Sequence, residues 1–414
     1  MPGILWRPAV GLCRPPCGTR SCRARSPIPL PVLLHTVPAF PASDSQPTRR
    51  ARPVAAEGIF FPAAAAYGAL AVPASVHGML SGAALLPGWA SVTGHAHELL
   101  FGFGLAVVTG FLVTRSPRPR VLALAGLWLL GRISFLMMPG GALALLSNFA
   151  FALLLAATVA PPFLRGAKKL RNRAIAPLLI AICAAVPSVQ LAFVSGPVWL
   201  QFLLLQQSVL LFSLLMLFMG GRIIAPAAAG AIERSGGTLH HRVQPTIEGA
   251  MLLTVAGAII ALAIPGAPPL AGLLSLAAAA LALLRLVRWR LWACRRRPDL
   301  WCLGAGYAWL VVGLGLLGLS WTLDLLPPSR AAHAITVGAL GTLSTAVMAR
   351  VRLTRNRHQP AQQPLLPLVA GLMSLAALTR LLGANNLAAL GSAAALWSLA
   401  LALLFLLLLR VPAR

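Results

Sequence analysis

The chain has 414 residues, of which 58% are hydrophobic and 10% are charged, and its formal net charge is +27. Soluble domains carry roughly 25% charged residues, so this composition excludes an ordinary soluble protein and indicates burial in membrane lipid. A very basic chain can bind nucleic acid, but here the cations lie in short segments between apolar stretches, as they do in membrane proteins. We therefore predict no nucleic-acid partner.

Residues 1–55 differ in composition from the rest of the chain. They contain Pro, Arg and Ser without helical periodicity, together with Cys13, Cys17 and Cys22, whose spacing matches no zinc pattern. The apolar stretch 27–34 is too short and too rich in Pro for a signal peptide. We predict a disordered cytoplasmic N-terminal extension over 1–55, or a start codon assigned too early, and a transmembrane domain over 56–414.

The transmembrane domain contains repeated apolar segments of the length that crosses a bilayer as a helix, about 20 residues. We predict an all-α fold, a polytopic membrane bundle of about 12 transmembrane helices. In chain order the predicted helices are 59–79, 95–114, 119–138, 142–160, 174–194, 198–221, 246–265, 268–287, 301–322, 331–350, 364–382 and 388–409.

The distribution of Lys and Arg predicts the orientation of these helices. If both termini are cytoplasmic, all but three of the 34 Lys and Arg residues lie on the cytoplasmic side. The exceptions are Arg132, Arg330 and Arg380. Cytoplasmic segments of membrane proteins are enriched in cations, so this asymmetry favours twelve spans with both ends inside. Two inner arginines, Arg222 and Arg350, are expected to extend to lipid headgroups.

The ionisable residues of the spans gather toward the opposite, outer side. His95, His97 and Glu98 begin the second helix and His333 begins the tenth, while Arg132 lies in the outer half of the third. Ionisable groups at membrane depth usually mark a functional site. We therefore predict a shared outer-leaflet site to which these five residues contribute.

Helix geometry restricts how these residues act together. His95 and His97 are two positions apart, about 200° around a helix, so they cannot bind one metal ion from a regular helix. His95 and Glu98 are three positions apart and should share a face, whereas His97 should point toward Phe101 and another neighbour. At the inner end, Glu248 is expected to pair with Arg242 or Arg222.

Neutral imidazole binds copper, zinc and haem iron, and an adjacent carboxylate can orient it. We predict that His95, His97 and His333 are ligands of a metal or haem and that Glu98 orients a ligand or relays protons. Arg132 is predicted to pair with a haem propionate or with Glu98.

The chain also resembles a known family. Residues 94–103 (GHAHELLFGF) and 110–114 (GFLVT) resemble the signature of NnrS proteins. Five further blocks follow in the family's order, at Gly131-Arg132, 220–226, 306–310, 332–341 and 348–350. The chain departs from the family after Arg350, where Leu353-Thr354-Arg355 replaces the family's segment with a further histidine, so no inner-side site is expected there.

The resemblance implies a bacterial inner-membrane protein with twelve helices that associates with haem and copper and protects cells against nitric oxide or related species. The alternative is a proton-coupled transporter of a small solute that uses the same His/Glu cluster. A terminal oxidase or nitric oxide reductase would need more paired histidines than the eight present. No catalytic residue is assigned, and no oligomeric state is predicted.

Overall fold

The computed structural model describes residues 54–166, 173–383 and 386–413. Within those ranges the protein is helical and has no strand, and twelve helices are long and apolar enough to cross a membrane. The predicted all-α bundle is confirmed. The N-terminal extension predicted over 1–55 lies outside the described residues except for its last two.

Most of the predicted helices are found with small shifts at their ends. In chain order they are α1 Glu57–Ser81, α2 Val92–Leu112, α3 Arg118–Met137, α4 Ala142–Gly166, α5 Ile175–Ser195, α6 Val198–Arg234, α7 Pro245–Leu262, α8 Pro268–Arg288, α9 Pro298–Leu323, α10 Pro328–Arg355, α11 Leu365–Leu382 and α12 Leu387–Arg410. The largest difference is in α6, which continues past the predicted end at 221 through an Ala-rich segment to Arg234.

Local sequence explains where several helices begin and end. Five of them have a proline in the first turn, where the missing N–H donor costs nothing: Pro119, Pro245, Pro268, Pro298 and Pro328. At the start of α2 the Ser91 side chain accepts a hydrogen bond from the backbone N–H of Gly94 at 3.0 Å. Gly82, with φ 68°, ends α1 in the left-handed conformation that favours glycine.

Helices α2 and α10 form the centre of the bundle. Their apolar windows are 78% and 72% buried, the highest values among the described spans. Each contains a π-helical segment directly after its histidines, Glu98–Gly104 in α2 and Ala334–Gly341 in α10. Single π-helical turns are rare and often occur at functional sites, so these two segments direct attention to the adjoining histidines.

We call the end of the bundle that holds His95 and His333 the histidine end, and the opposite end, with Arg350 and Arg352, the basic end. At the basic end, buried ion pairs join helices. Arg352 of α10 donates to the Glu57 side chain of α1 at 3.1 Å and to the backbone oxygens of Leu408 at 2.9 Å and Val411 at 2.8 Å. One guanidinium therefore holds α10 against both α1 and α12.

Two expectations for the basic end are wrong. Arg350 bonds to the buried carboxylate of Asp299 on α9 and does not simply extend to headgroups. Glu248 pairs with Arg285 of α8 at 3.7 Å, and not with Arg242 or Arg222. A carboxylate buried in a membrane bundle needs a cation within reach. In each case the partner lies on a neighbouring helix. The separation of the two residues along the sequence does not indicate which helices are neighbours.

We predict that replacing Arg352 with Met lowers the thermal stability of the detergent-solubilised protein. The change would leave the Glu57 carboxylate with Arg355 alone and remove the donor from three backbone oxygens, those of Glu57, Leu408 and Val411. Breaking one side of a buried pair costs about 3–5 kcal/mol. Differential scanning fluorimetry measures the effect, with Arg410→Met, an exposed arginine of α12, as the matched control. Equal melting temperatures for the two variants would contradict this role of Arg352.

Candidate functional site

The carboxylate of Glu98 is the centre of a buried polar cluster near the histidine end. It is fully buried, and it accepts hydrogen bonds from the Tyr67 hydroxyl of α1 and from the Arg132 guanidinium of α3. His97 Nδ1 lies 2.9 Å from the same carboxylate. We call Tyr67, His97, Glu98, Arg132 and Asn148 the Glu98 cluster.

The Arg132 guanidinium extends this cluster to α4. Its second nitrogen donates to Asn148 Oδ1, and the Asn148 amide in turn donates to the Ala144 carbonyl at 2.8 Å and to Gln190 Oε1 at 3.4 Å. Gly131 makes this approach possible, because a Cβ at that position would lie 2.9 Å from Asn148 Oδ1. The negative charge of Glu98 and the positive charge of Arg132 thus compensate each other inside the bundle.

His97 is enclosed by aromatic rings. Its imidazole stacks on Phe135 with ring centroids 4.0 Å apart and lies edge-on to Phe101 at 5.2 Å and Phe193 at 5.9 Å. The side chain is fully buried and its Nε2 has no hydrogen-bond partner among the described residues. The expected contact between His97 and Phe101 is confirmed, and three aromatic rings pack against this imidazole.

His95 and Glu98 both contact α1, through Ser75 and Tyr67, as their three-residue spacing predicts. Glu98 also begins the π-helical segment and bonds to the adjacent His97. Gly102 makes room for the partners of Glu98. A Cβ there would lie 2.8 Å from the Tyr67 ring and 3.1 Å from the Arg132 guanidinium.

His95 also contacts α1. Its Nδ1 lies 2.7 Å from the Ser75 hydroxyl oxygen, and the same hydroxyl lies 3.0 Å from the Val72 carbonyl. A hydroxyl has one proton to donate. In the arrangement in which Ser75 donates to Val72, it accepts from Nδ1–H of His95, and Nε2 of the neutral imidazole keeps its lone pair.

His333 is held in the same way by its own helix. Its Nδ1 lies 2.6 Å from the Ser329 carbonyl oxygen, an acceptor, so Nδ1 carries the proton and Nε2 has the lone pair. In the described part of the chain, neither His95 nor His333 has a hydrogen-bond partner at Nε2. Both side chains are half-buried, unlike that of His97.

The imidazoles of His95 and His333, here called the imidazole pair, lie within electrostatic range of each other, and Arg380 of α11 is within range of both. The second and tenth helices therefore bring their histidines to one place at the histidine end. No group of three or more His, Cys, Asp or Glu side chains that could hold a metal ion is found within the described ranges. A protein-bound ion at this place would have two imidazole ligands and further ligands from elsewhere.

The described residues form a polytopic α-helical membrane protein with histidines at one end. Its two central helices each contain a π-helical segment, and it has a buried carboxylate–arginine cluster and an imidazole pair. The family model for the NnrS protein matches residues 58–413, nearly the whole described bundle. The chain belongs to the NnrS family, as the motif resemblance predicts. No curated protein and no solved structure matches the chain.

Sequence reasoning identified the histidines, Glu98 and Arg132, and gave Glu98 as a partner of Arg132, but it missed Tyr67, Ser75 and Gln190. Tyr67 and Ser75 lie on the mostly apolar α1, and Gln190 lies on the mostly apolar α5. These residues could have been noticed because polar side chains are rare in apolar membrane helices. A lone Tyr or Gln in a membrane helix must satisfy its polar group against another helix, so each one indicates a contact.

We predict that replacing Glu98 with Gln strongly destabilises the bundle, because Arg132 would keep a buried charge without a counterion, at a cost of about 3–5 kcal/mol. Thermal unfolding of the purified protein measures the loss. Glu233→Gln, at an exposed glutamate near the end of α6, is the matched control.

In the same measurement, the double variant Glu98→Gln with Arg132→Met should recover part of the stability, since it removes both charges. A double variant no more stable than the single one would show that the ion pair is not what Glu98 contributes.

Proposed function

We propose that this protein binds haem, and copper as a second metal, through the imidazole pair, and that it acts in the bacterial inner membrane in tolerance of nitric oxide and related species. The observation that carries the proposal is a contact pattern shared by His95 and His333. Each imidazole has an oxygen partner at Nδ1, and neither has a hydrogen-bond partner at Nε2 among the described residues.

The donor set fits such a group. Neutral imidazole nitrogen is a ligand for haem iron and for copper, and metal-binding histidines usually donate their other N–H to a nearby oxygen. Ser75 and the Ser329 carbonyl supply that oxygen here. His95 and His333 would hold the group, with Arg380 close enough to favour negatively charged substituents. When bound, haem iron would supply the site at which nitric oxide coordinates.

His97, Glu98 and Arg132 have a different part in this proposal. His97 bonds to Glu98 through Nδ1 and packs among three aromatic rings, so the proposal does not use it as a ligand. Arg132 pairs with Glu98, the second of its two predicted partners, and so is engaged away from a propionate. The Glu98 cluster holds α2 against α1, α3 and α4 and thereby positions His95.

The transporter alternative rests on a specific feature, since Glu98 and His97 are ionisable groups fully buried at membrane depth. Such groups often relay protons in pumps and transporters. The two functions differ in what they require of the imidazole pair. Haem binding requires free Nε2 atoms and produces a visible absorption band. Proton-coupled transport requires no free Nε2 atom and produces no such band.

We predict that the detergent-purified, full-length protein shows a Soret band and that His95→Ala or His333→Ala abolishes it, because each change removes a ligand. The oxidised and reduced visible spectra and metal analysis measure this. His240→Ala, at an exposed histidine between α6 and α7, is the matched control and should leave the spectrum unchanged.

A folded protein without haem or copper would contradict the proposal, and counterflow of a solute by that protein in liposomes would establish the transporter. A Soret band that persists in both histidine variants would locate the haem elsewhere.

We also predict that Ser75→Ala weakens metal or haem binding about 10–100-fold while the ligands stay in place, the usual effect of removing the partner that orients a metal-binding histidine. The affinity is measured by titrating haem into the apoprotein. Ser188→Ala is the control, because this exposed serine makes a similar bond to its own helix, at 2.9 Å to the Ala184 carbonyl, without an imidazole partner. Equal affinities for the two serine variants would show that Ser75 does not orient His95.

A further inference from the structure

A second feature, apart from both polar clusters, is an apolar cavity between α2, α6, α9 and α10. It holds about 700 Å³ of unoccupied space, including its open side. Of the described residues that line it, Ser344 is the polar one, and the walls otherwise consist of apolar side chains and glycine. A polar or charged solute would find almost no hydrogen-bond partner inside.

The cavity has a floor in the centre of the bundle and a mouth toward the basic end. Gly104 and Leu340, at or near the ends of the two π-helical segments, are buried lining residues. The half-buried lining residues Phe111, Ile223 and Val347 lie further along α2, α6 and α10, closer to the basic end. An occupant therefore enters from the basic end and extends its apolar part toward the centre.

Two arginines lie about one helical turn beyond the lining residues near the mouth. Arg222 follows Met219 on α6 by three positions, and its guanidinium carbon is 3.8 Å from the centre of the Phe218 ring. Arg350 follows Val347 on α10 by the same spacing. It bonds to the Asp299 carboxylate, which also binds Arg297 at 2.9 Å, so two arginines share this carboxylate.

We propose that this cavity is a lipid site that holds one acyl chain of an anionic phospholipid, with its headgroup against Arg222 and Arg350. The bilayer supplies acyl chains at the mouth of this apolar cavity. Anionic headgroups are concentrated at the cytoplasmic leaflet and attract Lys and Arg, which matches the charge of the rim. The proposal is independent of the imidazole pair at the other end of the bundle.

The test reconstitutes the full-length protein in nanodiscs that contain phosphatidylglycerol and phosphatidylcholine in equal amounts. After exchange into detergent, mass spectrometry counts each lipid retained per protein. The wild-type protein should retain phosphatidylglycerol in preference to phosphatidylcholine. Arg222→Gln should lower the retained phosphatidylglycerol about fivefold, the effect of one cation on an anionic headgroup. Arg222→Lys should keep it, and Arg410→Gln, at an exposed arginine of α12, should match the wild type.

The second arm of the test fills the cavity with a large side chain. Val347→Trp and Met219→Trp each place a large side chain in the wall, and either one should abolish retention while the protein elutes as the wild type does in size-exclusion chromatography. If both variants misfold, the comparison of Arg222→Gln with Arg222→Lys decides. Equal retention of the two lipids by the wild type, or phosphatidylglycerol retention that no variant changes, would overturn the proposal.

Discussion

A carboxylate inside a lipid bilayer needs a cation beside it, and this requirement organises the described bundle. Four buried carboxylates each have an arginine on another helix, in the pairs Glu57–Arg352, Glu98–Arg132, Glu248–Arg285 and Asp299–Arg350. Because water cannot replace a missing partner at this depth, each pair specifies which helices are neighbours. Together they connect α1 with α10, α2 with α3, α7 with α8 and α9 with α10.

Helix α1 has a central part in this arrangement. Tyr67 and Ser75 contact α2 from it through Glu98 and His95, and Glu57 at its other end binds Arg352 of α10. Both central helices are therefore held against the same helix, α2 near the histidine end and α10 at the basic end. Each central helix carries its histidine at the histidine end, where the two imidazoles lie within electrostatic range of each other.

The fold was predictable to a large extent, and the site in part. Lipid allows few solutions, so apolar segments of the right length predict membrane helices directly, and those predicted from 59–79 to 388–409 correspond to the twelve found. The grouping of His95, Glu98 and His333 at one end followed from counting spans. The partners of these residues could not be predicted in this way. Tyr67 and Ser75 come from a helix whose rotation depends on packing, and the π-helical turn at Glu98 changes which residues share a face.

His95 and His97 show how much the surroundings of a side chain depend on the rotation of its helix. They are two residues apart on one helix, yet His97 is enclosed by three aromatic rings and paired with Glu98, whereas His95 lies on the opposite side with a free Nε2. Sequence spacing predicted that they would separate but not which of them would be accessible. The structure assigns the accessible position to His95, and the helix packing that encloses His97 is what makes this difference.

The central claim, that His95 and His333 lie close to each other at the histidine end, can be measured by cross-linking. In a chain whose native cysteines are replaced by serine, His95→Cys and His333→Cys are combined, and a protease site is inserted between α6 and α7. A short bismaleimide should join the two cysteines and keep the cleaved halves together on a denaturing gel, while the His97→Cys and His333→Cys pair should separate into two fragments. If the two cleaved halves separate in the variant with His95→Cys and His333→Cys, the account is contradicted.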